Sequence, residues 1–173
     1  MDEPFNQVDA AFRDQLQQDI REIVETSGLT VLLVSHDPAE VLAMADQLIV
    51  MKAGKIADQG ASKDLYYRPK TAYTARLLAK SNILTAQQAH QLGVDSLVPI
   101  AVHQEHIHVF PNSKGRYRIQ DIRFRGFYNE IIAGNEQTRI HFLEYPPGQL
   151  EQGDPVDLQI KNFHPLNDEV SPG

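Results

Sequence analysis

The first third of the chain alternates apolar and polar residues with two different periods. Between residues 10 and 26, Phe12, Leu16, Ile20, Ile23 and Val24 recur at helical spacing, and Gln15, Gln18, Asp19, Arg21 and Glu22 occupy most of the other face. This pattern predicts an amphipathic helix, opened by Asp9 as N-cap and stopped by Gly28. Thr30 to Val34 is apolar on both faces, which predicts a strand inside a sheet covered on both sides. Asp37 and Pro38 open a short helix whose buried face is Val41, Leu42 and Ala45. Leu48 to Met51 predicts a strand that turns through Lys52-Ala-Gly-Lys55, with Gly54 at positive φ, and returns as Lys55 to Gln59. Ser62 caps a brief helix ending before Pro69, and Tyr73, Leu77 and Leu78 give residues 71–80 helical spacing.

Residues 81–95 are more polar and read as a connector with a short helix at Ala86 to Gln91. From Ser96 the period shortens. Leu97 to Ile100, Ile107 to Phe110, Tyr117 to Phe124, Phe127 to Ala133, Gln137 to Glu144 and Pro155 to Ile160 are short alternating or β-branched runs. They are punctuated by turn clusters such as Pro111-Asn-Ser-Lys-Gly115, Ala133-Gly-Asn135 and Pro146-Pro-Gly148. Closely spaced short strands predict a small barrel or sandwich, an OB-like barrel being the best match. Phe110, Tyr117, Phe124, Phe127, Tyr128 and Phe142 are its expected core aromatics.

Composition adds exclusions. With 173 residues, 42% hydrophobic and 23% charged, the chain reads as one or two ordinary globular domains. No apolar run reaches the ~18 residues of a membrane span, and the acidic, polar opening does not read as a signal peptide. A net charge of −7 argues against nucleic acid as the main partner. The absence of cysteine removes disulfides, thiolate metal sites and thiol catalysis. Cytoplasm is the expected compartment.

The candidate chemistry lies at Asp2-Glu3-Pro4, Asn6-Gln-Val-Asp9 and Val34-Ser-His-Asp37. Two neighbouring carboxylates at one strand end and an imidazole at the next can converge above a parallel sheet, where a metal-bound phosphate and an attacking water would sit. In order and wording the stretch from Asp2 to about Lys80 resembles the C-terminal half of an ATP-binding cassette (ABC) transporter ATPase. The resemblance rests on these motifs and on Gly28-Leu-Thr-Val-Leu-Leu-Val-Ser-His-Asp37, Ala43-Met-Ala-Asp46, Met51-Lys-Ala-Gly-Lys-Ile56 and Leu65-Tyr-Tyr-Arg-Pro69. Asp2-Glu3 resembles the end of the Walker B segment, Asn6 to Asp9 the D-loop, and His36 the switch histidine. Asn6 and Val8 replace the serine and leucine usual in that loop. The resemblance implies that Asp2 orients magnesium through its water shell and that Glu3 polarises the attacking water. It implies that His36 reaches the γ-phosphate and that Asp9 crosses to a partner subunit. The later strands, with Leu150-Glu-Gln-Gly-Asp-Pro-Val156, resemble the TOBE regulatory domain that follows the ATPase in importers for ferric iron, polyamines, sulfate or sugars.

The expected fold class is therefore α/β, a partial P-loop NTPase of the ABC ATPase kind, followed by an all-β OB-like TOBE barrel. The expected divisions are 1–80 for the ATPase part, 81–96 for the connector, 97–166 for the TOBE-like domain and 167–173 for a tail. The implied cofactors of the parent are ATP and Mg. Its implied partners are transmembrane permease subunits and the N-terminal half of the ATPase, with membrane contact only through the permease, at the inner face of the plasma membrane.

Gly-x-x-x-x-Gly-Lys-Ser/Thr, which cradles phosphate with backbone amides and a lysine, is not in this sequence, and Gly54-Lys55 lacks both the earlier glycine and the hydroxyl. The Q-loop, signature motif and adenine-stacking aromatic of the family are not found in it either. The chain alone is therefore expected neither to bind ATP tightly nor to hydrolyse it. Unpaired apolar surface at Thr30 to Val34 predicts a homodimer or exchanged segments. The rival reading is a non-catalytic dimerisation or oxyanion-binding TOBE module, although the small-residue run of molybdate-binding relatives is not evident.

Two further clusters are candidates. His103-Gln-Glu-His-Ile-His108 would place His106 and His108 on one face if it were a strand, with Glu105 or His141 as further metal ligands, or it forms the polar outer face of the barrel. Arg116 with Arg118, and Arg123 with Arg125, share faces at i, i+2 spacing, as a solvated surface or an anion contact.

Overall fold

The computed structural model describes residues 3–4 and 9–167. The chain divides into two compact units, one ending at Leu65 and the other beginning at Tyr66. Among the described residues no helix is long and apolar enough to cross a membrane.

In the first unit, α1 (Ala10–Ser27) follows the predicted helical period and ends at Gly28, whose amide bonds back to Val24. Residues 29–33 form no regular element, and Val34 makes a single bridge. The strand predicted at Thr30 to Val34 thus shows no ladder among the described residues. Apolar content on both faces specifies burial between layers, but a ladder also needs neighbours of matching length. Among the described residues Val34 is bridged by one backbone bond from the Glu3 amide, 2.8 Å, and Leu32 stays 73% exposed. Next, α2 (Pro38–Met44) starts as its sequence predicts: the Asp37 carboxylate accepts from the Ala39 amide and Pro38 takes the first turn. The strands β1 (Gln47–Lys52) and β2 (Lys55–Ala61) form an antiparallel hairpin. Its two-residue turn puts Ala53 at φ 49° and Gly54 at φ 76°, the double positive φ that matches the twist of the flanking strands. Leu48, Val50 and Leu65 are its buried apolar residues. Helix α3 (Ser62–Tyr67) straddles the division between the units.

The second unit opens with α4 (Ala72–Ala79), capped by the Thr71 hydroxyl on the Thr74 amide. Strand β3 (Asn82–Leu84) follows, then α5 (Ala86–Gln91), which has a capping box between Thr85 and Gln88. After β4 (Ile100–Val102) the chain makes a short 3₁₀ turn over Gln104–His106. It continues as β5 (Ile107–Pro111), β6 (Tyr117–Phe124), β7 (Asn129–Gly134), β8 (Arg139–Glu144), β9 (Pro155–Ile160) and β10 (His164–Pro165). One antiparallel sheet has the order β5-β9-β6-β7-β8 and another β10-β4-β3. Leu84, Ala89, Leu92 and Val94 join Ile100, Val102, Tyr117, Ile119, Ile131, Ile140, Phe142 and Val156 in one core. Gly115 lets the chain approach β9 closely: a Cβ there would meet the Val156 backbone at 2.5 Å.

The closed OB-like barrel expected from the strand spacing is not what the described strands form. The five-stranded sheet is open at β5 and β8. Beside β8 a side chain takes the place of a neighbouring strand. The Asn82 amide donates to the His141 carbonyl at 2.7 Å and accepts from the His141 amide at 2.7 Å, so one residue of β3 satisfies both backbone groups of His141. The aromatic core is also smaller than expected. Tyr117 and Phe142 are fully buried, whereas Phe124 and Phe127 are 71% and 72% exposed and Phe110 is exposed. The β6–β7 register shifts between Ile119 and Asp121. Beyond this bulge Ile122 packs against the core that Tyr117 and Ile119 join, whereas Phe124 is exposed as the last residue of the strand and Phe127 lies in the bend between β6 and β7.

Asn82→Ala would leave both backbone groups of His141 without these bonds. The expected loss is about 1–3 kcal/mol of unfolding free energy, read by chemical denaturation, together with faster amide hydrogen exchange at His141. Exchange at His141 unchanged from the parent chain would contradict the clamp.

Candidate functional site

The first unit brings two of the sequence-predicted residues together. The His36 ring places Nδ1 2.8 Å from the Glu3 carboxylate Oε1. Because a carboxylate only accepts, Nδ1 is the donor. The same residue's amide bonds to Val34, so Glu3 is held at both its backbone and its side chain. Glu3 adopts φ 42°, a left-handed conformation that costs a non-glycine residue about 1–2 kcal/mol. The pairing with Glu3 raises the His36 pKa above its ordinary value, first through the hydrogen bond and then through charge, with Glu40 and Asp37 acting in the same direction. The His36 side chain is 70% exposed, so water screens the pair and its contribution to stability is small.

Beside the pair lies a network that the sequence reading missed. The Ser35 hydroxyl donates to the Glu40 carboxylate and accepts from the Asp37 amide at 3.1 Å. Arg13, from α1, reaches Glu40 at 3.5 Å and Asp37 at 3.8 Å. Glu40 is only 4% exposed. Its burial is made tolerable by these two partners, and the Arg13 Nε is itself buried without a hydrogen-bond partner. The available signal was the Asp37-Pro-Ala-Glu40 helix start, in which an acid three residues after the cap faces back toward the turn.

Asp9 stands at the N-cap position of α1, but its side chain makes no capping bond; its backbone carbonyl accepts from the Phe12 and Arg13 amides. Asp2 and the Asn6-Gln-Val8 stretch lie outside the described residues. A nucleoside triphosphate and Mg do not fit the donor set described. The first amide of α2 available as a donor is taken by Asp37, Gly54-Lys55 forms a hairpin turn, and Glu3, Asp37 and Glu40 outnumber Arg13 and His36. Among the described residues no group of three or more His, Asp or Glu is placed to hold a metal ion. The arrangement can accept and deliver a proton at an oriented imidazole.

The histidine cluster of the second unit is built differently from its strand expectation. Residues 104–106 form a 3₁₀ turn rather than a strand, so the alternation that would align His106 with His108 does not apply. His103 is buried. Its Nδ1 lies 3.2 Å from Glu105 and its Nε2 3.1 Å from the Tyr66 carbonyl. Both neighbours are acceptors. The hydrogen bond from His103 holds the Glu105 carboxyl at about 2 although burial opposes it. His106 stacks on His103 at a ring separation of 5.4 Å. The four arginines also separate. Arg116 pairs with Asp157 at 3.8 Å and Arg118 donates weakly to the Gly153 carbonyl, whereas Arg123 and Arg125 line a cavity.

Comparison with known proteins gives the context. No family model matches the chain. A ferric-ion import ATP-binding protein, FbpC, of Agrobacterium fabrum is 36% identical over 107 residues, covering 62% of this chain and 30% of that protein. FbpC of Streptomyces coelicolor is 40% identical over 91 residues, 53% of this chain and 26% of that protein. The spermidine/putrescine import ATP-binding protein PotA of Spiroplasma citri is 26% identical over 98% of this chain and 54% of its own length. The chain thus spans about a quarter to a half of the length of the curated relatives it matches. Its homologues are ATP-binding subunits of ABC importers, and its span is consistent with the C-terminal half of such a subunit.

Proposed function

We propose that the chain serves as the C-terminal portion of an importer's ATP-binding subunit, in which Glu3 and His36 are the carboxylate and imidazole of the hydrolytic site. The observation that supports this reading most is the 2.8 Å contact between them, made by residues separated by 33 positions in a chain whose homologues are ATP-binding proteins. Glu3 is the general base and His36 the phosphate-facing switch. With Nδ1 committed to Glu3, protonation makes Nε2 a donor, the form suited to an anionic oxygen. The raised pKa of His36 extends that form toward neutral pH. Asp2 belongs to the magnesium shell and Asp9 to a partner subunit. Permease subunits, the inner face of the cytoplasmic membrane, a homodimer, and the division at 1–80, 81–96, 97–166 and 167–173 with a TOBE-like second part complete the proposal. Residues 97–166 act in regulation rather than hydrolysis.

This chain by itself is not expected to hold ATP beside His36, because the described acids there repel phosphate and no cradle balances them. Photolabelling with an azido-ATP analogue is expected to mark no residue of the first unit. Labelling of the first unit that ATP competes away would contradict the reading.

The pair has a pH signature. A group whose folded pKa is raised contributes stability that is fully present below its unfolded value, about 6.5, and lost as the pH rises through the raised value. Glu3→Gln removes both leading causes of the shift. NMR titration of the His36 ring is expected to give a lower pKa in that variant than in the parent chain, and identical titrations would contradict the pairing.

A further inference from the structure

The second unit contains a half-open cavity of about 520 Å³ between α4, β3 and the β6–β8 face. This volume lies within the ~300–1,000 Å³ typical of small-molecule sites. Arg76, Lys80, Arg123, Arg125 and Arg139 line it against a single carboxylate, Glu130. The chain as a whole carries a net charge of −7, so this concentration of cations runs against its average.

The cations fall into two groups. Arg123 is held by Asp121 at 2.8 Å, and Arg125 by Glu130 at 2.9 Å, with Lys80 3.6 Å from the same carboxylate. These contacts fix the positions of the heads without neutralising the group. Arg76 and Arg139 have no carboxylate partner among the described residues. They come from α4 and from β8, the latter held to β3 by the Asn82–His141 clamp. The Ser81 hydroxyl, on a lining residue that is 6% exposed, has no hydrogen-bond partner. A buried hydroxyl without a partner is rare in folded proteins. Ile83, Ile131 and Ile132 also line the cavity, and an apolar wall strengthens charge contacts by lowering the local dielectric. Burial, and after it the Arg123 and Arg139 guanidiniums, lower the His141 pKa, with Glu130 opposing them.

We propose that this cavity binds a small anion carrying two or more phosphate groups. Guanidiniums meet phosphate oxygens in pairs, and the unpartnered arginines supply the charge that a diphosphate needs beyond what Asp121 and Glu130 already satisfy. A concave site of this size suits a small molecule; nucleic acid needs an extended basic stripe, which a net-acidic chain does not present. The site uses none of Glu3, His36, Asp2 or Asp9, so it stands or falls separately from the hydrolytic reading.

Isothermal titration of the full chain with inorganic pyrophosphate, in roughly 0.1 M chloride to screen diffuse charge, tests the assignment. The expected result is saturable binding of one pyrophosphate per chain, tighter than orthophosphate. In the double variant Arg76→Gln and Arg139→Gln, affinity is expected to fall by roughly tenfold or more, while the thermal midpoint is retained. Arg118→Gln, outside the cavity, is expected to bind as the parent does. No saturable binding to the parent chain, equal binding by the double variant, or an equal loss in Arg118→Gln would each overturn the proposal.

Discussion

Glu3 reaches His36 because its own amide is bonded to the Val34 carbonyl, two residues before the histidine. One backbone bond therefore sets the geometry of the side-chain pair, and the functional reading of the first unit depends on that bond. Neither contact is strong on its own. The imidazole is largely exposed, and the Glu3 backbone is in a conformation that L-residues avoid. Strain retained at an exposed acid–imidazole contact fits a site whose geometry matters more than its stability. The neighbouring Arg13–Glu40–Ser35 network contributes the more buried interaction, fixing the Ser35-His-Asp37 turn against α1 and the start of α2.

In the second unit the comparable constraint is Asn82. Its amide substitutes for a strand at His141 and also donates to the Val102 carbonyl at 3.4 Å, tying β3, β4 and β8 around one residue. The same residue lies on the wall of the basic cavity. Core packing, edge satisfaction and placement of the cations thus share one buried polar side chain. Arg139, on β8, is thereby held on the same wall as β3.

What was legible in the sequence is what local chemistry decides. Asp37-Pro38 specified a helix start, Ala53-Gly54 a tight hairpin and Ala86 to Gln91 a short helix, because each involves residues within a few positions of one another. The alternating runs identified the later strands. Ladder partners and sheet closure were not legible. The apolar run at 30–34 looked like a central strand because composition records burial preference and not the presence of neighbours. The exposed Phe124 and Phe127 looked like core because aromatic type records a burial preference, while their places at the end of β6 and in the bend after it are set by the strand's length. The Glu3–His36 pair was anticipated from motif order. Arg13 and Glu40 were not, since a buried ion pair is a tertiary contact, and Arg76 and Arg139 are too far apart in sequence to read as one cluster with Arg123 and Arg125.

The central claim is that Glu3 and His36 belong to a hydrolytic site whose phosphate-gripping residues are not in this sequence. Its most direct measurement is ATP turnover by a purified complex of this chain with a polypeptide that carries a Gly-x-x-x-x-Gly-Lys-Ser/Thr cradle from an ABC importer subunit. The account predicts turnover in the complex that is abolished by Glu3→Gln and by His36→Ala. A complex that turns ATP over equally well with either substitution would contradict it.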